Sequence, residues 1–180
     1  FKQINPWSIS PKQRQRLRSK IFITSQVPSL PPRQSVLTAV NSGKLGSMGT
    51  VSSLIELIYP RNTEKVREAL TFFGLGSKIF ESVDRLSGGE RQRVSLARAV
   101  ISSSELWALD EPLASLDPVR AEKSMKILRE IARERNLTLL TSLHQIDYAL
   151  RYFSRVIGIK NGQVLFDCSS KMINDQLLKD

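Results

Sequence analysis

The stretch from Leu86 to Asp117, LSGGERQRVSLARAVISSSELWALDEPLASLD, restricts the fold of this chain more than any other, because it orders a helix start, a buried strand and a second helix start. Ser87 and Glu90 have the S-x-x-E spacing of a capping box, so a helix should begin there. The first N–H groups of a helix lack internal partners and carry roughly half a positive charge. Gly88 and Gly89 at that point would let an anion approach closely, which makes phosphate binding the natural use. Glu105 to Leu109 then reads as a short buried strand that delivers Asp110 and Glu111 at its C-terminal end. Ligands sit at that edge of open α/β sheets. Two adjacent carboxylates there suit a division of labour in which one orients a magnesium ion through its waters and the other takes a proton from attacking water. Ser115-Leu116-Asp117 follows a turn interrupted by Pro112, with Asp117 as N-cap and Pro118 as first residue of another helix.

Each piece has a plain reading of its own. S-G-G-E alone is an ordinary cap, and Asp-Glu after an apolar run is usually a strand end. Together, at this spacing, they resemble the ATP-binding subunit of ABC transporters, with LSGGE as the signature motif, LWALDE as the Walker B strand and SLD as the D-loop.

Composition narrows the class. With 41% hydrophobic and 24% charged residues in 180, one globular domain with a real core is expected. No apolar run approaches the ~20 residues that span a bilayer. The one cysteine, Cys168, excludes an internal disulfide and fits a reducing cytoplasm. A net charge of +10 is compatible with nucleic acid, anionic head groups or a merely basic surface, and does not choose among them.

Along the chain, residues 1–19 alternate Lys12, Arg14, Arg16 and Arg18 with polar residues and read as a solvated approach to a first strand, Lys20 to Ser25. Gln26 stands at that strand's end. From Val27 to Arg85 prolines punctuate a helical region, with pieces expected over 35–41, 51–59 and 63–73, the last capped by Thr63 and ended by Gly74. Asn41-Ser42-Gly43-Lys44 imitates a phosphate loop but fails as one. The pattern G-x-x-x-x-G-K-[ST] needs Gly where Thr38 stands and Ser or Thr where Leu45 stands. Further on, a helix over Pro118–Arg135 should end near Asn136, a buried strand over Leu137–Leu143 should carry His144 at its end, and Ile146–Arg151 should be helical. Arg155–Lys160 and Gln163–Asp167 should form a hairpin across Asn161-Gly162, followed by a short amphipathic tail.

The resemblance runs from about Arg16 to Asp167 and implies more than spacing can. It implies an α/β fold of P-loop NTPase type, a mainly parallel core sheet built from 1–26 and 86–180, and an inserted helical subdomain over 27–85. Gln26 corresponds to the Q-loop glutamine that reaches metal and attacking water, Asp110 to the magnesium-orienting aspartate, and Glu111 to the general base. His144 corresponds to the switch histidine that contacts the terminal phosphate. Leu86, Ser87, Gly88, Gly89 and Glu90 would clamp ATP held by a second copy, and Asp117 would lie across the dimer interface. Implied cofactors are ATP and Mg2+. Implied partners are a second ATPase subunit in a head-to-tail homodimer, an integral membrane permease and, indirectly, a substrate-binding protein, at the cytoplasmic face of the membrane. Nucleic acid is not expected.

The 180 residues contain no Walker A loop, so by this resemblance they correspond to the C-terminal portion of a longer ATPase and should bind ATP poorly alone. Two stretches, Ser35 to Gly46 with Tyr59-Pro60 and Ser142-Leu143-His144-Gln145 through Gly162, resemble the phosphonate importer branch in particular. Two alternatives remain at this level: an ABC-type ATPase acting on nucleic acid, and a regulatory fragment without its own phosphate loop.

Overall fold

The computed structural model describes residues 5–58 and 62–174 and divides into two compact units, Phe1–Ser142 and Leu143–Asp180. The first unit is built on a parallel sheet of three strands, β1 (Ile21–Thr24), β2 (Leu106–Asp110) and β3 (Thr138–Ser142), with β2 in the middle. Its register pairs Ile23 with Ala108 and Ala108 with Leu140, so all three strands end at one edge. Parallel neighbours need long crossovers. The helical segment supplies the first of these, and the helix after β2 supplies the second.

The chain enters through α1 (Pro11–Arg18), where the residues alone read as a solvated approach with no element assigned. Ser10 accepts from the Gln13 amide while the Gln13 side chain accepts from the Ser10 amide, and Pro11 sits at the first turn. That capping box was legible as S-P-x-Q. The alternating basic residues concealed it, because the helix buries none of its side chains.

Between β1 and β2 lie α2 (Val36–Asn41), a 3-10 turn (Ser42–Ser47), α3 (Thr50–Ile58), α4 (Thr63–Phe72) and α5 (Gly88–Ile101). Helix α4 begins at Thr63 with Asn62 before it, so Thr63 is the first helical residue and not its cap. It stops at Gly74, which takes φ +70° while the Leu75 amide returns to the Leu70 carbonyl and the Gly74 amide to that of Thr71. These paired bonds satisfy orphan carbonyls in the Schellman manner, and a glycine adopts the left-handed φ without a Cβ penalty. Helix α6 (Pro118–Glu134) ends the same way on Asn136 at φ +51°, with Leu137 bonded to Ala132.

The core of this unit lies where α2, α4 and α5 meet and continues under the sheet: Val36, Val40, Val66, Leu70, Val94, Leu96 and Trp107 are all fully buried. Trp107, an unusually large side chain for such a strand, fits because its indole N–H donates to the Ser102 hydroxyl at 3.2 Å.

The second unit holds α7 (Ile146–Tyr152) and an antiparallel hairpin of β4 (Arg155–Lys160) and β5 (Gln163–Ser169). Asn161 and Gly162 take φ +52° and +76°, the two positive values that a type I′ turn requires. The tail beyond residue 174 and the Tyr59-Pro60 pair lie outside the described residues.

Candidate functional site

The signature stretch folds as its spacing requires. Ser87 is the N-cap of α5, accepting from the Glu90 amide at 3.3 Å, while the Glu90 carboxylate accepts from the Ser87 amide at 2.9 Å. The other carboxylate oxygen of Glu90 meets Lys78 Nζ at 3.0 Å. The Ser87 amide first, and Lys78 second, hold the Glu90 carboxyl below its ordinary range. Leu86, grouped by resemblance with the nucleotide-binding residues, has its side chain in the core at 3% exposure and anchors the motif from beneath.

The two glycines differ. A methyl group at Gly89 would come within 2.7 Å of the Ser115 carbonyl oxygen, so this glycine lets the S-L-D turn pack on the helix start. At Gly88 the same methyl would meet no atom within 4 Å among the described residues. Asp117 caps α6, one oxygen accepting from the Arg120 amide at 3.0 Å and the other from its guanidinium at 3.1 Å. Those bonds keep its carboxyl below the usual range, the backbone one most.

At the C-terminal edge of the sheet the structure brings Gln26, Asp110 and Glu111 together. The Gln26 amide Nε2 donates to Glu111 Oε2 at 2.8 Å. The Ser25 hydroxyl, bonded to the Val27 carbonyl at 2.7 Å, shapes the turn that presents Gln26. Glu111 itself sits at φ +42°, a left-handed backbone that few non-glycine residues adopt. His144 lies two residues beyond β3, exposed, at the start of the second unit.

Three further residues were given no role by the motifs. The Ser142 hydroxyl accepts from the Glu111 amide at 2.9 Å and donates to Asp110 Oδ1 at 2.6 Å. The Gln92 side-chain amide, buried on α5, reaches the Glu111 carbonyl at 3.4 Å. Arg93, also buried, donates to the Phe73 carbonyl at 2.7 Å and the Gly89 carbonyl at 3.3 Å, tying the end of α4 to the start of α5. Gln92 and Arg93 stand within LSGGERQR itself, but their burial shows only in the fold. Ser142 became visible only through its register opposite Asp110.

Among the described residues, no three acidic, histidine or cysteine side chains cluster as a metal cage. Magnesium does not need one, since it keeps several waters and takes one or two carboxylates together with phosphate oxygens. Asp110 at a strand end with Gln26 nearby on the same edge fits that donor set.

Comparison with known proteins points to one family. A family model described as ABC transporter matches residues 2–114. The phosphonates import ATP-binding protein PhnC of Pseudomonas putida is 44% identical over 173 residues, covering 96% of this chain and 64% of that protein. PhnC 2 of Albidiferax ferrireducens is 45% identical over 175 residues, covering 97% and 63%. The chain therefore spans just under two thirds of the length of these curated relatives. Among solved structures, cbiO1 from Clostridium perfringens, part of the ABC transporter complex cbiONQ, superposes with a TM-score of 0.69 at 29% identity, covering 90% of this chain and 62% of that one. The ATP-binding cassette MJ0796, in a dimeric post-hydrolysis state bound to ADP and Pi, gives 0.74 at 23% identity over 94% of this chain and 72% of its own, and speaks for the fold alone. On the family match, the relatives' identity and the fold, the chain belongs to the ABC transporter family.

Proposed function

We propose that the whole protein is the ATP-hydrolysing subunit of an importer for phosphonates or a related oxyanion. The observation that carries this reading is the meeting of Gln26, Asp110 and Glu111 on one sheet edge, with the Gln26 amide 2.8 Å from the Glu111 carboxylate. The relatives' 44–45% identity to phosphonate import proteins supports the cargo class.

When bound, ATP supplies the phosphoanhydride whose hydrolysis drives the cycle. Glu111 accepts the proton of the attacking water, a role worth ~10²–10⁴ in rate. Asp110 would hold a magnesium ion through water, and Gln26 completes the polar shell while orienting the base. His144 positions the terminal phosphate. Ser87, Gly88 and Gly89 would face the nucleotide of a second subunit in a head-to-tail pair, and the open space over Gly88 supports that use. Leu86 and Glu90 hold the motif in place, and Asp117 orders the turn at the dimer interface. The segment 27–85 is the helical subdomain in this reading and would receive a permease helix at the cytoplasmic face of the membrane. No helix among the described residues is long and apolar enough to cross one.

The test is Glu111→Gln in the whole protein. Turnover should fall at least about 100-fold while ATP binding is retained, and phosphonate-dependent uptake should stop. Unchanged turnover would remove Glu111 as the base, and uptake that survives would remove the transport assignment.

A further inference from the structure

The left-handed backbone at Glu111 raises a question that the catalytic reading leaves open: what keeps it there. A non-glycine residue at φ +42° lies in a sparsely populated region that persists only where its surroundings over-determine it. Both ends of the Glu111 residue are in fact held. Its amide donates to Ser142 Oγ at 2.9 Å, from the end of the neighbouring strand. Its carbonyl accepts from the Ala114 amide at 3.2 Å and from Gln92 Nε2 at 3.4 Å.

The hydroxyl's orientation follows from its partners. A backbone N–H can only donate, and an ionised carboxylate can only accept. The single proton of Ser142 therefore points at Asp110 Oδ1, 2.6 Å away, and its lone pairs face the Glu111 amide. One side chain thus fixes the conformation of the second carboxylate's backbone and the rotamer of the first. Asp110 Oδ1 is committed to Ser142.

We infer that Ser142 is a positioning residue that locks the two carboxylates into their working geometry, joining the metal-orienting group to the base through one hydroxyl. The inference rests on the reading of Glu111 and Asp110 given above. Apolar replacement is not isosteric in function: alanine removes both bonds and threonine keeps both. Because Ser142 is exposed, water can replace the hydroxyl as an acceptor but cannot hold a fixed geometry.

Amide hydrogen exchange in the whole protein, read residue by residue by NMR, tests the geometry without any turnover. The Glu111 amide should be protected in the wild type. In Ser142→Ala it should exchange at least about tenfold faster, as expected for loss of a charge-assisted network. Trp107 and Leu109 in the same strand should be unchanged, and Ser142→Thr should restore protection. Steady-state turnover gives the second readout: Ser142→Ala should lower kcat about tenfold with KM for ATP within about twofold, and should add no loss in the Glu111→Gln background. A wild-type Glu111 amide that exchanges at the open-chain rate overturns the inference, whether or not the alanine variant folds. A wild-type protein without ATP turnover would instead sink the proposed function, while the exchange data would still judge the lock.

Discussion

Two glycine turns in this chain look alike as sequence and do opposite things in the fold. Asn41-Ser42-Gly43-Lys44 and Ser87-Gly88-Gly89-Glu90 each combine small polar residues, glycine and a charge in the manner of an anion site. In the first, Asn41 is buried and donates to the Glu56 carboxylate at 3.0 Å, and a Cβ on Gly43 would collide with the Arg98 carbonyl oxygen. Burial and the nearby Lys65 charge lower the Lys44 pKa, the opposite of what an anion partner would do. Its glycine exists so that the 3-10 turn can lie on α5. In the second turn the capping box is complete within four residues, and the space above Gly88 is open. Glycine content therefore does not identify a ligand site; what the missing Cβ would have met does.

The contrast can be broken by alanine substitution. The largest effect belongs to Gly43→Ala, where backbone rather than a flexible side chain stands in the way. It should cost about 2–3 kcal/mol of stability in denaturant unfolding, and a neutral result would refute the packing reading. Gly89→Ala, against the Ser115 carbonyl at 2.7 Å, should cost about 1–2 kcal/mol and shift the turn before Asp117. Gly88→Ala should change stability by no more than about 1 kcal/mol in either direction. If Gly88 serves a nucleotide, this variant should nevertheless lose turnover in the whole protein, whereas equal losses of stability in all three variants would erase the distinction.

A smaller effect sharpens the same comparison through pH. The folded-state pKa of Glu90 is depressed, so its stabilising contribution is complete above the ordinary glutamate value of 4.5 and is lost as pH falls through the lower folded value. Thermal unfolding of the wild type should therefore lose ground on acidification from about pH 6 to about pH 3, and Glu90→Gln should show a smaller loss over that window.

Local chemistry was legible wherever partners are close in sequence. Ser87 and Glu90, Asp117 and Pro118, Gly74, and Asn161-Gly162 each complete their hydrogen bonds or turn geometry within a few residues, so the pattern states the structure. The same locality explains the miss at α1, whose cap was present while its lack of a buried face removed the periodic signal. The start of α4 shows the limit of cap reading, since the N-cap is Asn62 rather than Thr63 and its side chain forms no cap bond.

The sequence by itself determined the order of the strands and of the helices after α1, the two carboxylates at a strand end, and the family to which they belong. Tertiary structure alone decided which glycine is packed and which is open, that Gln26 reaches Glu111 across 85 residues of chain, and that Ser142 bridges Asp110 and Glu111. The physical reason is range. Caps and turns satisfy backbone groups from their own neighbours, whereas a hydroxyl at the end of one parallel strand finds its partners only after the register of the sheet has aligned them.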